Sequence, residues 1–256
     1  MSETNEKAAQ DPEVVLGELW QRNYDPTTRQ IIEELPIRPH WRCLDVGAGL
    51  GSMSYWMAER VPQGSVLAVD TETRHLSGRG FSNLTVRQLD VTEADFEEES
   101  FDLILLRSVL AHLGDPEKVL EKAVEWLSPG GWVVAEDFYF LPSEDGPSAL
   151  NRKVVDAYTG AAAQSGMDMR LGRRLPAMLA RTGLDDVETR LRPLGPGQGD
   201  RENELMRRRM ELQGHPLVEN GLLTAEEIAE FNAGLDDPRS RDVTTLLFSV
   251  QGRRTT

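Results

Sequence analysis

Eight residues, Leu44-Asp45-Val46-Gly47-Ala48-Gly49-Leu50-Gly51, constrain the rest of the chain more than any others. An apolar run containing Cys43, Leu44 and Val46 leads into three glycines at alternate positions, and Met53, Trp56, Met57 and Val61 then recur at helical spacing. The order is strand, sharp turn, helix. Glycine is needed where a Cβ would bar positive φ or hold a ligand off the main chain, and the helix start that follows exposes unpaired N–H groups. Alone, the turn is equally consistent with a tight strand-to-helix connection. The residues at fixed distances behind it carry the weight.

Ser65–Asp70 reads as a second buried strand ending in a carboxylate, and Asp70 falls 19 positions beyond Gly51. That spacing suits an acid accepting from both hydroxyls of a ribose, although an Asp capping the next segment would look the same. A third strand, Leu84–Leu89, closes on Asp90-Val91, and a fourth, Phe101–Leu106, runs into Arg107-Ser108-Val109-Leu110-Ala111-His112-Leu113. Open α/β sheets bind ligands beyond the carboxyl ends of their strands, so this last stretch faces whatever is bound. A dinucleotide fingerprint, G-x-G-x-x-G/A, fails at Ser52, and Asp45 would set a carboxylate near a pyrophosphate. A phosphate loop of the G-x-x-x-x-G-K-[ST] type is absent from the sequence.

Taken together, these residues resemble the class I S-adenosylmethionine-dependent methyltransferases of the small-molecule type, whose glycine signature is hydrophobic-hydrophobic-Asp/Glu-hydrophobic-Gly-x-Gly-x-Gly. The resemblance implies an α/β, Rossmann-like, doubly wound seven-stranded sheet, mostly parallel with an antiparallel last strand and helices on both faces. It also implies S-adenosyl-L-methionine as cofactor: Asp45, Gly47, Ala48, Gly49 and Gly51 at the turn, Asp70 with Thr71 at the sugar, and Asp90 and Val91 at the adenine. The backbone carbonyl of Arg107, with Ser108 beside it, falls where the family holds the methionine moiety. Leu127–Gly131 matches the family's Leu-x-Pro-Gly-Gly turn, with Trp132–Ala135 as the fifth strand. Residues 1–36 correspond to an N-terminal helical lid segment with Tyr24 at its mouth, unless Trp20 and Tyr24 merely pack it on the main domain. Residues 37–256 form that domain, with a helical insertion at about 196–240 whose Met206, Met210 and Phe231 line an acceptor wall or anchor an inert cap.

His112 is the most attractive titrating group, because an imidazole near neutral pH can take a proton from an acceptor; the alternative is a histidine that packs and hydrogen-bonds. Asp137 could orient a hydroxyl or assist His112, and Phe138 and Phe140 stack on an aromatic acceptor or pack in the core. The Asn/Asp-Pro-Pro-Tyr/Phe element of the family's DNA-base methylating members is missing after the fourth strand. Arg107 stands where the magnesium-dependent type places an acidic ligand, so no metal is expected.

The formal charge of −15, from 28 basic and 43 acidic residues among 256, argues against a nucleic-acid backbone as partner. Arg207-Arg208-Arg209 lies among Glu202, Glu204 and Glu211 and reads as a solvated helix face. The single cysteine, Cys43, sits in the first strand and reads as a core thiol. No apolar run approaches the ~18 residues of a membrane span and no basic-then-apolar signal region opens the chain, so a cytoplasmic protein without a membrane partner is expected; a homodimer is compatible with the sequence.

In chain order, residues 1–11 are polar and expected to be mobile. Val14–Trp20 suggests one short helix, and Asp25 or Thr27 caps a second one stopped by Pro36. Asp115-Pro116-Glu117 starts another helix. Leu150–Ala161 and Leu171–Arg181 continue helical on either side of Gly166, a strand spans Asp186–Leu194, Thr224-x-x-Glu227 caps a late helix, and Val243–Val250 is the last strand. The function expected is methylation of a small organic acceptor at oxygen, nitrogen or carbon in secondary metabolism. The alternatives are a non-methylating member that retains the cofactor, such as a cyclase or a binding module, and an NAD(P)-dependent oxidoreductase.

Overall fold

The computed structural model describes residues 11–78 and 80–255. The polar stretch expected to be mobile therefore lies, except for Asp11, outside the described residues. In chain order the elements are α1 (Pro12–Glu34), β1 (Arg42–Val46), α2 (Ser52–Arg60), β2 (Ser65–Asp70), β3 (Leu84–Gln88) and β4 (Phe101–Arg107). There follow α3 (Pro116–Trp126), β5 (Leu127–Phe140), α4 (Ala149–Gln164), α5 (Leu175–Arg181) and β6 (Asp185–Leu194). The chain ends with α6 (Asp200–Gln213), α7 (His215–Glu219), α8 (Ala225–Gly234) and β7 (Thr245–Arg253).

The seven strands form one sheet in the order β3-β2-β1-β4-β5-β7-β6. Neighbours β3-β2, β2-β1, β1-β4 and β4-β5 pair parallel, which is why β4 reads as a continuous apolar run: Leu103, Ile104, Leu105 and Leu106 are fully buried. At its far side β7 runs against β5. Gly130 N–H donates to the Arg254 carbonyl and Arg254 N–H to that of Gly131, so the start of one strand meets the end of the other. The strand order steps outward from β1 in both directions, and that reversal between β1 and β4 is where an open sheet offers a crevice.

Contacts within the chain define two compact units. One comprises Asp25–Asp137, Leu171–Arg190 and Phe248–Thr256; the other comprises the chain up to Tyr24, Phe138–Arg170 and Leu191–Leu247. The first has its own core, in which Ile31, Ile32, Trp41, Met53, Met57, Leu103 and Leu105 pack together. Cys43 is buried there, and burial pushes its thiol pKa up. The second has two smaller clusters. Leu16, Leu19, Tyr24, Leu194, Leu205 and Leu247 make one; Val154, Ala157, Met210, Leu217, Phe231 and Leu235 make the other.

Three local expectations need correction. The two short N-terminal helices are one 23-residue helix, α1, with Pro26 inside it. Proline removes an N–H from the helix ladder, and the Arg22 carbonyl left short of that donor one turn earlier accepts from Arg201 at 3.0 Å, while the next carbonyl, that of Asn23, accepts from Arg192 at 2.7 Å. The fifth strand begins at Leu127 and not at Trp132, because Ser128–Gly131 bulges out of the ladder between the pairs Phe101/Leu127 and Leu103/Trp132 while its backbone still bonds the C-terminal residues. The last strand starts at Thr245 and runs to Arg253. The helix starts expected from their caps are present: Asp115 accepts from Lys118 N–H, and Thr224 with Glu227 forms a reciprocal capping box.

Candidate active site

The glycine turn that leaves β1 is fixed from two sides. Gly47 and Ala48 N–H groups both donate to the Val69 carbonyl, at 2.8 and 3.1 Å, which pulls the turn across the end of β2. At Gly47, φ is +65° and a Cβ would lie 2.3 Å from Val109 Cγ2, so glycine is there to let the segment after β4 pack down. At Gly49, φ is +55° and a Cβ would meet nothing within 4 Å. The two glycines serve different ends: one makes room for protein, the other keeps bare peptide facing open space.

Asp70, half-buried at the end of β2, accepts from Gly49 N–H through Oδ2 at 2.8 Å and from Glu72 N–H through Oδ1 at 3.0 Å. Each oxygen keeps a second lone pair. Thr71 beside it is exposed, and its carbonyl accepts from Gln88 Nε2. At the end of β3, Asp90 is exposed and caps the 3₁₀ turn Val91–Glu93, accepting from Thr92 N–H and Oγ1 through Oδ1 alone. Those bonds lower its pKa. Val91 is buried behind it.

Asp45 is placed differently from the other acids. It is buried beneath the turn, where Ser54 Oγ donates to it at 2.5 Å and ties β1 to α2. Burial, against the Ser54 bond and the Arg107 charge, pushes its pKa up to about 6. A carboxyl whose pKa is raised on folding stabilises the native state below its unfolded value of 3.8, and that stability is lost as pH rises through about 6. Asp45→Asn keeps an acceptor for Ser54 and removes the titration. Its unfolding free energy, measured in urea from pH 4 to pH 7, is expected to gain on that of the wild type by up to about 3 kcal/mol; a pH-independent difference would contradict this.

A polar network that sequence reasoning missed lies at the carboxyl ends of β4 and β5. Arg107 Nη1 pairs with Asp25 Oδ1 at 2.8 Å, with side chains only 10% and 7% exposed. Asp25 Oδ2 in turn accepts from Arg29 at 3.2 Å. Glu136, fully buried, accepts from Thr28 Oγ1 and Ser249 Oγ, each at 2.5 Å, and burial raises its pKa despite the nearby Arg107. Two buried donors here have no partner among the described residues: Ser108 Oγ and Arg29 Nε. Ser108 itself is held at φ +54° with its N–H on the Glu136 carbonyl. A non-glycine residue in that region costs roughly 1 to 3 kcal/mol and persists where the surroundings fix it.

His112 closes the 3₁₀ turn Leu110–His112 directly after β4 and is exposed at the surface, with enough desolvation to lower its pKa from the ordinary 6.5. Asp137 is buried, and its Oδ2 accepts from Ala111 N–H at 3.2 Å, so it fixes the turn that carries His112. In the other unit, Tyr24 is buried with its hydroxyl donating to Glu202 at 3.0 Å, its ring edge-on to Trp20 and Phe138. Met210 and Phe231 belong to the core of that unit, with Met206 packed against it. Among the described residues no group of three or more His, Cys, Asp or Glu is placed to hold a metal ion.

A methyltransferase-domain family model matches residues 44–135, which begins at the glycine strand and ends in β5. This stretch of the chain is similar to a methyltransferase domain. The chain is 36% identical over 107 residues to methyltransferase str3 of Strobilurus tenacellus, covering 41% of this chain and 38% of that protein. Among solved structures, it is similar to Haemonchus contortus phosphoethanolamine N-methyltransferase 2 bound to phosphomonomethylethanolamine and S-adenosylhomocysteine. That likeness has a TM-score of 0.62 at 18% identity and covers 91% of this chain and 53% of the other. A [4+2]-cyclase, SpnF, is similar at a TM-score of 0.59 and 16% identity, covering 92% and 82%. The chain's matches span from 25% to 55% of the length of curated relatives, and 38% of str3. The likeness to solved structures shows the fold, and reaction and acceptor are argued from the site.

Proposed function

We propose that this chain binds S-adenosyl-L-methionine along Gly47–Gly51 and transfers its methyl group to an oxygen, nitrogen or carbon of a small organic acceptor, as a cytoplasmic enzyme of secondary metabolism. The observation that carries the proposal is Gly49: its main chain faces open space while its N–H holds Asp70 alongside. The residues present suit the cofactor's parts. Asp70 has lone pairs left for two ribose hydroxyls, and Asp90 Oδ2 with the Val91 N–H suits an adenine edge. The Arg107 carbonyl suits an ammonium, and the two orphan donors, Ser108 Oγ and Arg29 Nε, suit a carboxylate.

When bound, the cofactor supplies a methyl group already activated on a sulfonium. What the chain adds is alignment of the acceptor and exclusion of water, and for an O–H or N–H acceptor the removal of a proton. His112 takes that proton. Asp137 acts through the Leu110–His112 turn and is a positioning residue. Tyr24, its hydroxyl held by Glu202, anchors the amino-terminal half of α1.

Titrating the full chain with S-adenosylhomocysteine and, separately, with NAD and NADP tests the first half of this reading. Stabilisation by the first alone is expected; stabilisation by a dinucleotide alone would overturn it. A panel of small acids, amines and phenols with a methyl-labelled cofactor tests the second half. Tight cofactor binding with no label transferred to any class would assign a non-methylating role.

A further inference from the structure

Arg209 is out of keeping with the other cations near it. Its neighbours are neutralised, Arg207 by Asp236 at 2.8 Å and Arg208 by Glu211 at 2.6 Å, and α6 carries acids at Asp200, Glu202, Glu204 and Glu211. Arg209 is half-buried, yet no carboxylate or carbonyl among the described residues bonds it. Its guanidinium instead lies 5.3 Å over the ring of Tyr158. In a chain with 43 acids to 28 bases, leaving a partly desolvated arginine without an anion is not the default arrangement.

The surroundings are aromatic and incompletely covered. Tyr158 is tilted against Phe140, ring centres 5.6 Å apart, and both keep part of their surface open. Arg209 also acts electrostatically on Tyr24, whose ring packs edge-on to Phe138. Arg192 lies over the Tyr24 ring as well, but its own donors are spent on Asn23. All of these residues belong to one compact unit.

We infer that Arg209, with Tyr158 and Phe140, is a binding site for the anionic oxygens of a small organic molecule, a carboxylate or a phosphate ester, whose apolar or unsaturated body lies on the aromatic rings. The guanidinium is backed by the Tyr158 face, which fixes its plane and leaves its N–H fork for a bidentate anion. Naming that anion as the acceptor rests on the proposed methyl transfer; the site itself does not. The triplet Arg207-Arg208-Arg209, which sequence reads as one solvated face, thus divides into two surface pairs and one ligand group.

Calorimetric titration of the full chain with benzoate, phenyl phosphate and neutral benzyl alcohol tests this, with and without saturating S-adenosylhomocysteine. The wild type is expected to bind at least one anion and not the alcohol, with affinity falling as salt rises. The tighter of the two anions identifies carboxylate or phosphate. Arg209→Gln should weaken that anion tenfold or more, Arg209→Lys should retain part of the affinity, and Arg208→Gln should behave as wild type. Unchanged affinity in Arg209→Gln, an equal loss in Arg208→Gln, or no anion bound by the wild type would overturn the inference. Should Arg209→Gln fail to fold, the Arg209→Lys and salt series still decide it. S-adenosylhomocysteine binding in the same samples keeps the outcomes apart: its absence beside an Arg209-dependent anion sinks the methyltransferase reading alone.

Discussion

Replacing His112 with Gln is expected to lower kcat for an O–H or N–H acceptor by about 100- to 10,000-fold while leaving S-adenosylhomocysteine affinity within a factor of two or so of wild type. The imidazole stands at the end of β4, on a turn whose middle N–H is tied to buried Asp137. Partial desolvation lowers its pKa, so the neutral form needed of a base is already dominant at neutral pH. The sign of the pH dependence follows. As pH rises through a pKa below 6.5 the base form accumulates and kcat climbs to a plateau, and the Gln variant should lack that limb. Asp137→Ala should loosen the turn and reduce kcat while keeping the limb, since the titrating group is still present. A His112→Gln enzyme with unchanged kcat, or with the same rising limb, would remove His112 from the chemistry.

The second large effect is at Asp70. Asp70→Ala is expected to weaken S-adenosylhomocysteine by about 100-fold or more, because two charge-assisted hydrogen bonds to neighbouring hydroxyls are lost together and each contributes on the order of 1.5–3 kcal/mol. Part of the loss will be indirect, since Gly49 N–H also loses its acceptor. Asp70→Asn separates the two contributions: an amide oxygen can still take the Gly49 N–H, but it carries no charge and can accept only once more. An intermediate affinity is expected, and Asn equal to wild type would mean that the carboxylate serves only the turn.

Much of this is legible in the amino-acid sequence alone. Buried parallel strands have to be apolar along their whole length, so Ser65–Asp70 and Phe101–Leu106 stand out, and the glycines mark the one turn where bare peptide is required. Pro129-Gly130-Gly131 misled because a strong turn signal coincided with backbone that pairs outside its own strand, with Gly131 bonded to Arg254 at the far end of the chain. Pro26 misled in the opposite sense: the Arg22 carbonyl that its missing N–H strands is satisfied by Arg201, more than 160 residues away. The buried network of Asp25, Thr28, Arg107, Glu136 and Ser249 was illegible for the same reason. Its members come from three strands and a helix, and no local pattern announces that a serine in a last strand will meet a glutamate over 100 residues earlier.

The central claim is that the main chain at Gly49 is bare because a ligand lies against it. Calorimetric titration of S-adenosylhomocysteine into the wild type and into Gly49→Ala tests it most directly. The added Cβ touches no protein atom, so the variant should stay folded at a cost of roughly 1 to 2 kcal/mol for its left-handed backbone, yet show at least a tenfold loss of affinity. Equal heats and equal affinity in the two proteins, or no heat in either, would contradict the account.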